Sequence, residues 1–210
     1  MIRPKSLTTE ELLVQVEASR RTERYGDMGA FANRLESMLG SDTSQAADVL
    51  RSKVTYELHM ALFQQAQAKQ AEARELLHDS LRLARQSAAD ALAAGDPVGA
   101  LFAKANIGGH LMPALGDWQG GLATLPEVYE EAEALAVAAT DDAARTRALR
   151  VAVNAYLLAI NLLVEHDDNP HELEEVLSRL EVNQFYLDHK DDEWVAGPVA
   201  AARAFIERHT

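Results

Sequence analysis

RALRVAVNAYLLAINLLVEH, residues 147–166, decides the fold class. Leu149, Val153, Tyr156, Leu157, Ile160, Leu163 and Val164 recur at the 3.6-residue period of an α-helix, so one face of this segment is apolar for its whole length. Working outward, the same period returns in Leu173, Val176, Leu177 and Leu180 after an opening Asn169-Pro170. It returns again in Leu77, Leu81, Ala84 and Ala88, which run until Gly95. No stretch alternates convincingly with the two-residue period of a strand, and the expected class is all-α.

Punctuation places about nine helices. Thr8 with Glu11 has capping-box spacing for a first helix reaching to about Arg24, where Gly26 breaks it. Asp27 is expected to cap a second helix that carries Phe31, Leu35 and Met38 and ends at Gly40 in a left-handed conformation. A third spans about Ser44 to Gln67, with a fourth following almost at once. Asp96-Pro97 opens a fifth, from about Val98 to Leu115, and Asp117 precedes a sixth. The looser 180s, ending at Gly197-Pro198, lead to a short terminal helix. Pro113 and Pro126 each predict a kink or a helix end; alternatively Pro126 sits early in a helix capped by Thr124, with Gly120 and Gly121 in a loosened turn. Short connections make neighbouring helices antiparallel, so the chain reads as a run of hairpins.

With 33 acidic and 20 basic residues the net charge is −13, a field that repels phosphate backbones. Nucleic acid is therefore an unfavoured partner; the local cluster of Arg20, Arg21 and Arg24 reads as a solvated helix end. Cysteine is absent, no signal-peptide core is visible and no unbroken apolar run reaches about 18 residues. The expected setting is a cytoplasm of bacterial type, with no membrane partner.

A single helical hairpin cannot bury its apolar face, which makes repeats the next question. The clearest unit is LAAGDPVGALFAKANIGGHLMPALGDWQGGLATLPEVYEEAEAL, residues 92–135. Ala105-Asn106-Ile107-Gly108, then Gly116-Asp117-Trp118, then an apolar helix ending in Ala132 and Leu135 resembles a tetratricopeptide repeat. Gly108 and Gly121 would let two helices approach closely. A second unit, residues 141–180, sets Asn154 in the place of Asn106, and a third, about 53–88, has His59 near that position. The intervals are 47 and 48 residues, longer than the ~34 of the common unit. The resemblance implies tandem antiparallel hairpins stacked as a right-handed superhelix with a concave groove. It organises residues 1–210 as one domain: capping helices over 1–44, repeat units over 45–180 and a C-terminal cap over 181–210.

By the same resemblance the groove would present Asn106, Asn154 and His59 to the backbone of an extended peptide. Helical geometry adds His110 one turn after Asn106, and Arg147, Arg150 and Asn161 on the stripe of Asn154. Cations on the floor of a groove suit a carboxylate. Lys104 and Tyr56 would border it. Phe185, Tyr186 and Trp194 would cap the array or form a dimer contact.

Catalytic motifs find little support. Asp141-Asp142, Asp167-Asp168 and Asp191-Asp192 resemble magnesium-holding acid pairs, but the residues four further on are Arg145, His171 and Val195, and turns want aspartate for capping. Glu75 and His78 have the spacing of a di-iron helix without the second copy such a site needs. His166, Asp167 and His171 read as an acidic turn. The expectation is a non-enzymatic scaffold or sensor that binds a protein or peptide and needs no cofactor. A self-associating homodimer is the alternative, and an enzyme of unrecognised type the third.

Overall fold

The computed structural model describes residues 7–68, 73–166 and 169–209, and the regular elements among them are all helical. In order they are α1 (Thr9–Arg21), α2 (Tyr25–Leu39), α3 (Gln45–Ala68), α4 (Ala73–Ala93), α5 (Pro97–Asn106), a π-helical turn (Ile107–Leu111), α6 (Met112–Ala114), α7 (Trp118–Ala138), α8 (Asp142–His166), α9 (Pro170–Glu181), α10 (Gln184–His189) and α11 (Glu193–His209). The chain forms two compact units, Met1–Ala103 and Lys104–Thr210.

In the first unit α1 pairs with α2 and α3 with α4, while α1 also packs on α3. Leu12, Val16, Met28 and Leu35 from the first pair close over Val54 and Ala61 of α3. Thr8 and Glu11 form the expected capping box: Thr8 Oγ1 accepts from the Glu11 amide at 3.2 Å, and the Thr8 amide donates to Glu11 Oε2 at 2.8 Å. The end of α1 corrects the sequence reading. Glu23, at φ 56°, reverses the chain, with the Glu23 and Arg24 amides donating to the carbonyls of Arg20 and Ser19 at 3.0 and 2.8 Å. The reversal is complete before Gly26, so Gly26 and Asp27 lie in the first turn of α2. Arg24 stands at the cap position without a side-chain capping bond.

Small residues line the contact of α3 with α4, and three polar rungs fix its register. Gln45 Nε2 donates to the Ala94 carbonyl at 2.7 Å. Ser52 and Ser87 exchange hydroxyl-to-carbonyl bonds at 3.1 Å. The Ser80 hydroxyl donates to the carbonyl of His59 at 2.9 Å. As α3 advances by a heptad its partner on α4 retreats by one, which makes the pair antiparallel with a coiled-coil-like seam.

Two Gly-Asp junctions share one design. Gly95 (φ 71°) and Gly116 (φ 93°) end their helices in the left-handed region, where a side chain would be strained. The next residue closes the turn through its amide, Asp96 to the Ala91 carbonyl at 2.8 Å and Asp117 to the Met112 carbonyl at 2.9 Å. Each aspartate then caps the following helix, accepting from the Gly99 amide at 2.9 Å or the Gly120 amide at 3.0 Å.

The two prolines in question behave differently. Ahead of Pro113 the backbone widens into the π turn, where the Met112 amide bonds the Ile107 carbonyl, and the helix ends at Ala114, one residue past the proline, in line with the expected kink or end. Pro126 lies within α7, which starts at Trp118. Thr124 is not a cap: its hydroxyl donates to the Gly120 carbonyl at 2.9 Å, and Gly120 and Gly121 belong to the helix. Pro198 likewise falls inside α11, which begins upstream of the expected start.

The second unit is built around α8, against which α7, α9, α10, α11 and the π turn pack. By length and mean hydropathy, 1.5 over its most apolar window, α8 could cross a membrane, but 67% of that window is buried within the protein. Such coverage is what a core helix has. Gly108 and Gly121 meet as the sequence anticipates: a Cβ on Gly108 would sit 2.9 Å from the Gly121 carbonyl oxygen.

Candidate recognition trough

α7 has two apolar rows. Leu125, Val128, Ala132 and Ala136 are buried, whereas Leu122 and Pro126 are half-buried and Ala123 and Val137 exposed. The second row lines two hollows of the second unit. The first, about 320 Å³, is walled by Trp118, Leu122, Ala123 and Pro126 of α7 and by Glu172 and Val176 of α9, with Ala159 of α8 among its lining. The second, about 380 Å³, is lined by Ala136 and Val137 of α7, Arg145 and Leu149 of α8, and Val182 and Asn183 beyond α9.

A polar bridge links the walls between them. Arg179 of α9 reaches Glu130 of α7 at 2.9 Å and Glu175 at 3.3 Å, with its guanidinium 5.9 Å from the centre of the Tyr129 ring. Tyr129 stacks on Tyr156 at 4.1 Å between centroids and 17° between planes. The Tyr156 hydroxyl donates to Glu133 at 3.0 Å, and Asn183 Nδ2 donates to the same oxygen at 3.4 Å. Burial first, and then the Glu133 charge, raises the Tyr156 pKa well above the usual phenol range. The hydrogen bond to Glu130 and the neighbouring Tyr129 raise that of Arg179. At the mouth of the first hollow Trp118 stacks on His166 at 5.4 Å.

The residues expected to line a groove fall in several places. Arg147, Arg150 and Asn161 are exposed and Asn154 is half-buried on α8, so that stripe exists, yet it lines neither hollow. Asn106 is buried at the junction of α5 and the π turn. His110 stands in that turn at the surface, with the protein packed around its ring lowering its pKa. His59 is a correction: at 1% exposure it lies inside the first unit, bonded to Ser80 and edge-on to Tyr56, because the small α4 residues leave room for an imidazole in the seam. Lys104 pairs with Glu127 at 3.1 Å. Arg20 pairs with Glu57 and Arg24 with Asp27, which disperses the basic cluster.

The acid pairs are occupied structurally where they are described. Asp141 accepts from the Ala144 amide at 2.8 Å, Asp142 pairs with Arg145, and Asp192 bonds His189 at 3.0 Å. Asp167 and Asp168 lie outside the described residues. Among those described, no three His, Asp or Glu side chains are gathered as metal ligands. The trough residues Trp118, Leu122, Pro126, Arg179 and Val182 were not singled out as a site from the sequence. The available signal was the second row of α7, which a single-faced helix does not need. Comparison with protein-family models, with curated proteins and with solved structures returns no match.

Proposed function

We propose that this chain is a non-catalytic binding scaffold of tetratricopeptide-like helical hairpins, which holds a segment of a partner protein in the trough between α7 and α9. The observation that supports it is the alignment of two mainly apolar hollows, about 320 and 380 Å³, along one helix. Each is of the size that receives an anchoring side chain cluster or small ligand. The polar stripe of Arg147, Arg150, Asn154 and Asn161 is a second contact face, suited to a carboxylate.

Selection of binders from a displayed peptide library tests the reading. Binders should lose affinity for a protein whose trough is filled and charged by Ala123→Trp with Val137→Glu. If they keep it and lose it instead with Arg150→Ala and Asn154→Ala, the site is the α8 stripe. Absence of any binder sensitive to either pair removes the scaffold.

A homodimer is the competing reading, favoured by Val137 and Val182, which are 87% and 78% exposed and line the same hollow. Sedimentation would detect a dimer that Val137→Glu with Val182→Glu dissolves.

A further inference from the structure

The chemistry of the trough walls specifies more than an apolar ligand, and we infer that its occupant is an amphipathic helix of a partner protein, with two apolar anchors about three and a half turns apart and lysine or arginine between them. This rests on the scaffold reading and adds the conformation and charge of what is held.

Conformation follows from the lining. The hollows are centred on α7 positions near 123 and 136, about 20 Å apart at the α-helical rise. An extended strand would cover that span in about six residues. Its amides and carbonyls would then face Leu122, Ala123, Pro126, Val137 and Val182, while the polar residues Glu133, Asn183, Arg145 and Gln184 of the second hollow are already bonded within the protein. A helix satisfies its own backbone and offers side chains at the period of the α7 row, so it docks without orphaned polar groups.

Charge follows from the bridge. Glu172 of α9 lines the first hollow and Glu133 of α7 the second, and Arg179 of α9 engages Glu130 of α7 and Glu175 of α9. Arg145, at the far end, pairs with Asp142. The chain's net charge of −13 has the same sign as this local excess. A cation between the anchors would meet carboxylates that Arg179 already engages, and would compete with it.

The test uses three synthetic helical peptides of about 18 residues, a length of about 27 Å, sharing one apolar face and differing only in lysine, glutamine or glutamate flanks. Binding is read by anisotropy. The lysine peptide should bind about tenfold tighter than the glutamine peptide and lose that margin at high salt. Arg179→Ala should tighten it several-fold by releasing Glu130 and Glu175. Glu130→Gln with Glu175→Gln should erase the margin, Asp191→Asn with Glu207→Gln should not, and Ala123→Trp should abolish binding.

If the glutamine or glutamate peptide binds as tightly and Ala123→Trp still abolishes it, the charge assignment falls while the scaffold stands. Lysine-peptide binding that ignores Ala123→Trp, or weakens equally with the distant acid pair, is bulk attraction and overturns the inference. No binding by any of the three overturns the helical occupant; the library selection then decides separately whether the scaffold survives.

Discussion

Nδ1 of His59 lies 2.9 Å from Oγ of Ser80, and the Ser80 hydroxyl gives its single hydrogen to the carbonyl oxygen of His59. The ring must therefore be the donor in the first contact, which assigns the proton to Nδ1. Ser80→Ala removes both bonds from a fully buried seam and should cost about 1–3 kcal/mol in urea unfolding. Ser87→Ala, whose partner Ser52 is half-buried and nearer solvent, should cost less. Equal losses would show that the His59 rung has no special weight.

Arg20 and Glu57 form an ion pair between α1 and α3 with side chains 15% and 11% exposed. Arg20→Ala strands the carboxylate of Glu57 in that setting and should destabilise the first unit by about 3–5 kcal/mol. Replacing both, as Arg20→Met with Glu57→Leu, should recover most of it. Chemical denaturation of the single and double variants distinguishes a stranded charge from lost packing.

Gly108 and Gly121 hold the π turn and α7 at backbone contact. Gly121→Ala should cost about 1–3 kcal/mol by overpacking, because the added carbon meets the Gly108 carbonyl. Gly29→Ala, in α2 with nothing within 4 Å of the added carbon, should gain about 0.5–1 kcal/mol. Opposite signs in thermal melts are the expected result.

Glu23 occupies a left-handed position that glycine usually fills. Glu23→Gly should stabilise the α1–α2 hairpin by roughly 0.5–1 kcal/mol, read as a higher urea midpoint with an unchanged slope.

Alkaline stability should be limited by the half-buried Tyr56 and the buried Tyr156. Burial, with the nearby Glu57 charge second, pushes Tyr56 up to about 12, and Tyr156 is raised further. Between pH 10 and 12 the unfolded chain releases phenolic protons that the folded chain keeps. This stabilising contribution is whole below pH 10 and is lost as pH rises. Tyr56→Phe should flatten the alkaline limb of stability against pH, and ultraviolet titration should show tyrosinate from these two residues appearing with unfolding.

Local readings succeeded where a few neighbouring residues decide the outcome. Thr8 with Glu11, Asn169 before Pro170, and the glycine-aspartate junctions at 95–96 and 116–117 act within one helical turn. Their capping is visible in the residues themselves. Asp27 failed as a cap because Glu23, an unlikely residue for a left-handed φ, had already turned the chain. Pro126 was ambiguous because a proline's cost is local, while the packing of α7 on α8 that offsets it is not.

Apolar periodicity, capping chemistry and the glycines suffice to determine an all-helical chain, since each acts through contacts a few residues apart. Tertiary structure alone decided that His59 is enclosed, that the α8 stripe and the hollows are separate surfaces, and that Arg179 meets Glu130. Those outcomes depend on which helices become neighbours, and side chains 49 residues apart, as Glu130 and Arg179 are, share a site only once α8 has brought α7 and α9 against its own flanks.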